Sequence, residues 1–372
     1  MGFMENSKRV KKETVDGKVE LKRKGLPRTK KPIKLPKFTI IKQSNAVTMM
    51  QADYSMMHIR VIIQLIEHLQ PIINAEINSS ANFAMQNLFE EFKHDTQVIV
   101  KIPMKNFGVN TNHYEQLRTA LKELASIPVE FETTDNSGRE MWGFSGFFTA
   151  YMHKEKYNRE VHIKIEKDVI KKVLLPLSSG YTQFYKEIAL SAKNKYTARI
   201  YMIISSWKHK GGFAIRLDKF RKILGLQNKY KIFKDLYRRV IRPAYEDLFE
   251  KSDIWFEVKE VYQNVTDIEP ITLNFKVIRG TLTDTEKNTL KMQTDNLKNL
   301  WERHLSALSK EQITTCLNYV SIDNYRHITE KSIELMQYVG KNALKIQGLQ
   351  NYCYVSLMKI VCPVIEDKDD DN

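Results

Sequence analysis

Cysteine is scarce in this chain. Cys316, Cys353 and Cys362 are the three in 372 residues, all near the carboxyl end and none in a CxxC spacing. That odd count fits a reducing cytoplasm and reads as buried thiols in preference to a zinc site. Long hydrophobic runs are also missing. The longest apolar stretch, residues 56–69, is interrupted by His58, Arg60, Gln64, Glu67 and His68, so nothing here is expected to span a membrane. The lysines and arginines at the amino end are followed by no apolar segment of a secretory signal. The motifs of common catalytic sites are absent too. There is no GxxxxGK[ST] to cradle a nucleotide phosphate, and the pair Gly211-Gly212 has no lysine behind it. No HExxH or carboxylate cluster suggests metal chemistry. A nickase would need paired metal-binding histidines and an attacking tyrosine, whereas His162 stands alone in a strand-like VHIK and reads as structural. The expectation is a cytoplasmic protein that is not an enzyme and uses no cofactor or metal.

What is present is positive charge, unevenly spread. Hydrophobic residues make up 42% and aromatic residues 10%, enough for folded domains. The net charge is +15, of which residues 1–37 carry +9, residues 38–280 carry +8 and residues 281–372 carry −2. The first segment combines thirteen basic residues with Pro27, Pro32, Pro36, Gly17 and Gly25, a composition that cannot bury a core, and reads as a disordered arm. It is either a solubilising tail or an arm that follows phosphates. The last segment consists of helix formers with two capping boxes, Thr283 to Glu286 and Ser309 to Gln312, and ends in the acidic EDKDDDN of residues 366–372.

Between these lies a pattern spelled twice. The first copy runs VIVKIP (98–103), MKNFGV (104–109), NHYEQL (112–117) and IPVEFE (127–132); the second runs FAIRL (213–217), DKFRKILG (218–225), NKYKIF (228–233) and IWFEV (254–258). Each reads as short strand, short helix, tight turn, longer helix and β-hairpin. A long apolar helix precedes each copy, at residues 53–69 and roughly 182–208, where apolar residues recur at spacings of three and four. The hairpin turn of the first copy is Asp135-Asn-Ser-Gly138, followed by a further strand pair at 142–151 and 161–165. The fold class is therefore α+β, with two tandem winged-helix domains at residues 38–178 and 179–280 and a helical extension at 281–372. A duplicated module in a basic chain suggests one protein gripping two adjacent segments of double-stranded DNA.

The groove-entering helices follow from amphipathicity. Across residues 230–248 the apolar Phe233, Leu236, Tyr237, Val240, Ala244 and Leu248 share one face, and Lys231, Lys234, Arg238 and Arg242 line the opposite one. With Lys229 and Arg239 these cations are the candidate DNA contacts of the second module, and Pro243 predicts a kink after Arg239. In the first module the helix spans residues 111–124, with Tyr114, Leu117, Leu121 and Leu124 inward. Its candidate contacts are Asn110, Thr111, Asn112, His113 and Gln116 at the amino end and Arg118 and Lys122 beyond, because amides pair with adenine edges and cations with phosphate or guanine. Thr111 or Asn112 is also expected to cap this helix.

Three passages, KYTARIY (195–201), YKIFKDLYRRVIRPA (230–244) and SDI (252–254), resemble the initiator replication protein family, the iteron-binding initiators of theta-replicating plasmids. The resemblance covers residues 38–280 and adds Lys195 and Arg199 to the candidate contacts. It implies binding to repeated sites at a plasmid origin, strand opening with host replication initiation proteins, loading of the host helicase, and a homodimer that represses its own promoter. A winged-helix transcriptional repressor on one short operator is the alternative. An RNA-binding role is disfavoured by the absence of RRM-type aromatic motifs and RGG runs.

If the amino-terminal arm follows phosphates, deleting residues 1–37 weakens binding to every duplex alike and flattens the dependence of affinity on salt. Titration at a series of salt concentrations checks this, and a loss confined to one sequence would show that the arm reads bases instead.

Overall fold

The computed structural model describes residues 10–15, 18–22, 38–78, 97–108, 113–134, 139–154, 160–175, 180–264, 266–280 and 284–365. Its first strands, β1 (Val10–Val15) and β2 (Lys18–Lys22), pair antiparallel, and β2 adds to the edge of a later strand, Ile254–Tyr262, with Leu21 opposite Glu260. The arm expected to be disordered thus contains a hairpin. Its pairing occupies backbone groups that an exposed sheet edge leaves open.

Contacts divide the chain into two compact units. One is Pro36–Ser206 with Ile223–Gly225, and the other is Met1–Leu35, Trp207–Lys222 and Leu226–Asn372. The division falls after Ser206, not between residues 178 and 179. The reason lies in strand pairing: the segment read as the lead helix of the second module opens as a strand that belongs to the first.

In the first unit β3 (Ile40–Ser44) leads into α1 (Asn45–Met49), α2 (Met56–His68) and α3 (Gln70–Asn78). Next come β4 (Gln97–Pro103), α4 (Tyr114–Ala125), β5 (Pro128–Thr134), β6 (Glu140–Gly146), β7 (Thr149–Met152) and β8 (Glu160–Glu166). The unit closes with β9 (Tyr181–Tyr185), α5 (Lys186–Ser191) and α6 (Lys195–Ser206). β9 pairs with β3 from Ile40–Tyr185 to Ser44–Tyr181, so α5 and α6 pack here. The segment 142–151 is not one strand. β6 pairs with β5, β7 pairs with β8, and the buried Phe147 and Phe148 mark the break. The turn at Asp135–Gly138 lies outside the described residues.

α2 is the hub of this unit. Ile59, Val61, Ile63, Leu65 and Ile66 are each at most 2% exposed, which places core on nearly every side of the helix. Its start is fixed by a capping box: Ser55 Oγ accepts from His58 N at 3.2 Å and His58 Nδ1 accepts from Ser55 N at 3.1 Å. With Nδ1 accepting, the ring proton sits on Nε2, which lies 2.8 Å from Glu123 Oε2 on α4.

In the second unit β10 (Gly212–Arg216), α7 (Leu217–Ile223), α8 (Phe233–Leu236), α9 (Arg242–Lys251), β11 (Ile254–Tyr262) and β12 (Thr272–Arg279) follow in order. The last residue of α7 groups with the first unit. The sheet order is β1-β2-β11-β12-β10, and the period-two alternation expected of β11 and β12 is realised as an antiparallel hairpin running from Ile254–Arg279 to Val261–Thr272. Phe275 is the centre of the core: Phe213 stacks on it at 4.8 Å, and Phe256 and Phe220 tilt against it at 5.3 and 5.5 Å.

The extension forms α10 (Asp284–His304), α11 (Lys310–Leu317), α12 (Tyr325–Asn342) and α13 (Leu349–Val361) around Trp301, Tyr319, Leu357 and Val361. All three cysteines are free and buried in it. Trp301 Nε1 donates to Ser332 Oγ at 3.0 Å, which satisfies the one polar atom of a fully buried ring. The Ser309–Gln312 capping box is formed, while Thr283 lies outside the described residues. After α13 the chain returns to the sheet, where Val364 bridges Ala214 in parallel. No helix among the described residues is long and apolar enough to cross a membrane.

Burial, opposed by the Glu123 carboxylate, holds the His58 imidazole below its usual pKa. The folded state therefore binds its proton less readily than the unfolded chain. Stability from this site is full above the ordinary histidine pKa and is lost as pH falls through the lower folded value. Urea unfolding at pH 7.5 and 5.5 is expected to show a smaller loss of stability in His58→Gln, whose side chain keeps the capping box, than in the unaltered chain. An equal loss in the two proteins would remove His58 from the acid response.

Candidate nucleic-acid interface

The helix-turn-helix of the second unit is anchored before it is charged. A turn joins α7 to α8, and within it Gly225 and Tyr230 both take positive φ, 64° and 51°. Arg221 spans the turn, donating from Nη2 to the carbonyls of Lys231 at 2.6 Å and Tyr230 at 3.2 Å. Ile232, at the cap position of α8, has no side-chain oxygen to offer the first free amides. Glu269, from the loop between β11 and β12, supplies one: its Oε1 accepts from Phe233 N at 2.9 Å and lies 3.5 Å from Arg221 Nη2. The turn and the hairpin loop thus jointly fix where the helix begins.

The helix starts at Phe233, three residues later than read from the sequence, because the left-handed backbone at Tyr230 cannot belong to it. It runs through α8, a π-helical turn at Tyr237–Ile241, and α9. Pro243 has no amide to give the carbonyl of Arg239, and the chain widens to a π turn where a regular helix would leave that carbonyl unmatched. In place of the kink expected after Arg239 there is this π turn, which spans that residue. Phe233, Leu236, Val240, Ile241, Ala244, Tyr245 and Leu248 are buried on one side. Lys231, Lys234, Arg238, Arg239 and Arg242 are exposed, as is Lys229 in the turn. Arg238 pairs with Asp235 and Arg242 with Glu246, both at 2.8 Å, with the two guanidinium side chains 64% and 59% exposed. Pairs so exposed contribute only about 0.3–0.5 kcal/mol, so the guanidinium groups exchange these carboxylates for a phosphate or a base at little cost.

In the first unit α4 begins at Tyr114, and His113 occupies the cap position without a side-chain capping bond, so neither Thr111 nor Asn112 sits there. Asn110, Thr111 and Asn112 lie outside the described residues. His113 is half-buried, with Nδ1 enclosed and without a hydrogen-bond partner. Gln116, Arg118 and Lys122 are exposed, but Arg118 pairs with Glu115 at 3.2 Å and Glu123 shares the surface. This face carries about as many acids as bases, whereas on the helix of the second unit bases outnumber the acids that pair with them. The helix is held from beneath by the Tyr114 hydroxyl, which donates to the His153 carbonyl, and by Leu117, Leu121 and Leu124 in the core.

Two candidates move from interface to scaffold. Lys195 is paired with Asp53 and lies over the Tyr196 ring, its side chain 24% exposed. Arg199 is 5% exposed; its Nη2 donates to the carbonyls of Met50 at 2.6 Å and Ile223 at 3.4 Å, and its guanidinium faces the Tyr54 ring at 5.3 Å. Burial brings its pKa down to about 10, which still leaves it charged at neutral pH. A cation in an apolar helix is legible as either surface or satisfied interior, and here the free carbonyl of Met50 at the end of α1 selects the interior. Conversely, the sequence reading missed Arg221 and Glu269. They lie 48 positions apart, and no spacing rule joins a helix residue to a hairpin loop at that distance.

Comparison with known proteins adds an independent line. The family description "Initiator Replication protein, WH1" matches residues 40–205, and "Initiator Rep protein, WH2" matches residues 216–275. These limits leave the boundary near Ser206. A replication initiation protein of Escherichia coli is 29% identical over 195 residues, 50% of this chain and 58% of that protein, so the chain spans a little over half of that relative's length. Among solved structures, the Pi initiator protein in complex with iteron DNA is similar with a TM-score of 0.45 and 15% identity, over 67% of this chain and all of that one.

Arg238→Ala and Arg242→Ala are expected to lower duplex affinity by about 1–3 kcal/mol each if they contact bases, with a smaller salt slope if they contact phosphate. Their stability should change by less than about 0.5 kcal/mol, as for other surface substitutions. Arg199→Met should do the reverse, orphaning two carbonyls for about 1–3 kcal/mol of stability and leaving affinity unchanged below its melting temperature. Fluorescence anisotropy beside thermal melting separates the cases, and lost affinity with unaltered melting in Arg199→Met would return that residue to the interface.

Proposed function

The chain belongs to the initiator replication protein family, and on that premise we propose that it starts plasmid replication by binding repeated double-stranded sites, iterons, at the origin through both winged-helix modules. The observation that carries this reading is the row of exposed cations along α8 and α9, on a helix whose opposite face is packed into the sheet. A surface helix that only covers a core mixes signs evenly; this one, with Lys231 just ahead of it, offers Lys234, Arg238, Arg239 and Arg242 to a polyanion, and only Asp235 and Glu246 pair with them. The first module contributes a more polar face, where Gln116 suits a base edge and Arg118 and Lys122 suit the backbone.

Bound at successive repeats, the protein promotes opening of the neighbouring duplex and recruits host initiation proteins and the replicative helicase. It assigns no bond-making step to its own residues, so its role is assembly on DNA. A homodimer acting on its own promoter would use the same cationic helix, and the number of sites occupied separates that role from initiation.

Footprinting on the DNA around the gene, at two salt concentrations and against random duplex, is expected to protect several direct repeats at one regular spacing. Protection of a single palindrome would make the protein a repressor. Uniform weak protection that salt removes would leave only non-specific phosphate binding and sink the proposal.

A further inference from the structure

The residue at the cap of α8 is an exposed isoleucine. Ile232 is 58% exposed, and its extended backbone, φ −84° and ψ 129°, keeps it outside the helix that follows. Both facts run against local preference. A cap position favours Ser, Thr, Asp or Asn, whose oxygen accepts from the first free amides, and a branched apolar side chain favours the core. Glu269 removes the first conflict. Its Oε1 accepts from Phe233 N at 2.9 Å, so an amide at the helix start is satisfied from the loop between β11 and β12 and the cap side chain is released from that task. The backbone on either side of Ile232 is fixed as well. Phe233 is buried, with its ring 6.2 Å from that of Tyr237, and Arg221 Nη2 donates to the carbonyls of Tyr230 and Lys231. Ile232 is therefore an apolar group held in place at the surface, with the exposed Lys231 before it and Lys234 two residues after.

The amino end of a groove-entering helix is the part that reaches base edges. Of the groups that bases present in the major groove, one is a hydrocarbon: the C5 methyl of thymine, which apolar side chains recognise by contact. A lysine at the cap would bind any phosphate, and a serine or asparagine could pair with several bases. Isoleucine gains nothing from a phosphate and offers no donor or acceptor to guanine, adenine or cytosine. We propose that Ile232 is a specificity-determining residue of the second module and contacts the C5 methyl of a thymine in its site, while Lys231 and Lys234 hold the neighbouring phosphates. The inference rests on the reading of α8 and α9 as the DNA-binding helix. It gives that helix a discrimination between thymine and cytosine that salt does not screen, because the contact is apolar and the cationic contacts around it are not. Ile268, one residue before Glu269 on the same loop and 87% exposed, is a second apolar side chain at the surface and supplies the comparison.

The test titrates the full chain against a duplex that it protects selectively, and against copies in which each thymine in turn is replaced by deoxyuridine, which lacks only the methyl group. At one position the replacement is expected to weaken binding about fourfold, the value of one buried methyl group, and by the same factor at low and high salt. At that position Ile232→Ala is expected to bind the thymine and uracil duplexes alike. Ile232→Val, which keeps a branched apolar end, should retain most of the difference, and Ile268→Ala should retain all of it. Melting temperatures of the three variants should match that of the unaltered chain, since both side chains are exposed. Selective binding that is indifferent to every replacement would overturn the methyl contact and leave the DNA-binding reading of the helix standing. A methyl preference that survives in Ile232→Ala would overturn it too, and its loss in Ile268→Ala instead would move the contact to the hairpin loop. A chain that protects no duplex selectively would fail at the reading of the helix itself and take this contact with it.

Discussion

Burial of Phe275 is the constraint on which the second unit depends. One ring on β12 touches Phe213 from β10, Phe220 from α7 and Phe256 from β11, so a single position ties three strands and a helix of the helix-turn-helix together. Aromatic side chains bury more area than any others and prefer offset or tilted contact, which fixes angle as well as distance. The cationic helix inherits its attitude from this cluster through Tyr245, whose ring meets Phe256 edge-on at 6.1 Å, and through Phe249 against Trp255. Charge decides what the exposed face meets, and the aromatic core decides where that face points.

Much of this was legible from residue order. Period-two alternation gave the β11–β12 hairpin, three-and-four spacing gave α2, the Ser309–Gln312 pair gave the start of α11, and the lone cysteines were read as buried. What failed to read were features set by partners distant in sequence. Thr182, Phe184 and Ile188 look like the first turns of an apolar helix until β3 is there to pair with, and then residues 181–185 become a strand and carry α5 and α6 into the first unit. Arg199 reads as a surface cation until the Met50 carbonyl is found beside it. Base-reading at the amino end of α4 stays an expectation, since residues 109–112 are not described.

The two modules share a plan and differ in electrostatics. On α4 the exposed Arg118 and Lys122 are interleaved with Glu115 and Glu123, and on α8 and α9 cations dominate. A mixed face is weakly attracted to any phosphate backbone and gains most from matched hydrogen bonds, whereas a cationic face is attracted to every duplex and is weakened by salt.

The π turn at Tyr237–Ile241 carries a further consequence. A regular helix advances about 100° per residue, so a widened turn acts as a phase adjuster between the helix before it and the helix after it. Deleting one residue there would leave α8 and α9 in phase with each other, whereas deleting one elsewhere in the helix would turn Ala244 and Leu248 about 100° away from the core. The least regular part of this helix is therefore the one place where it can lose a residue and keep both of its faces aligned.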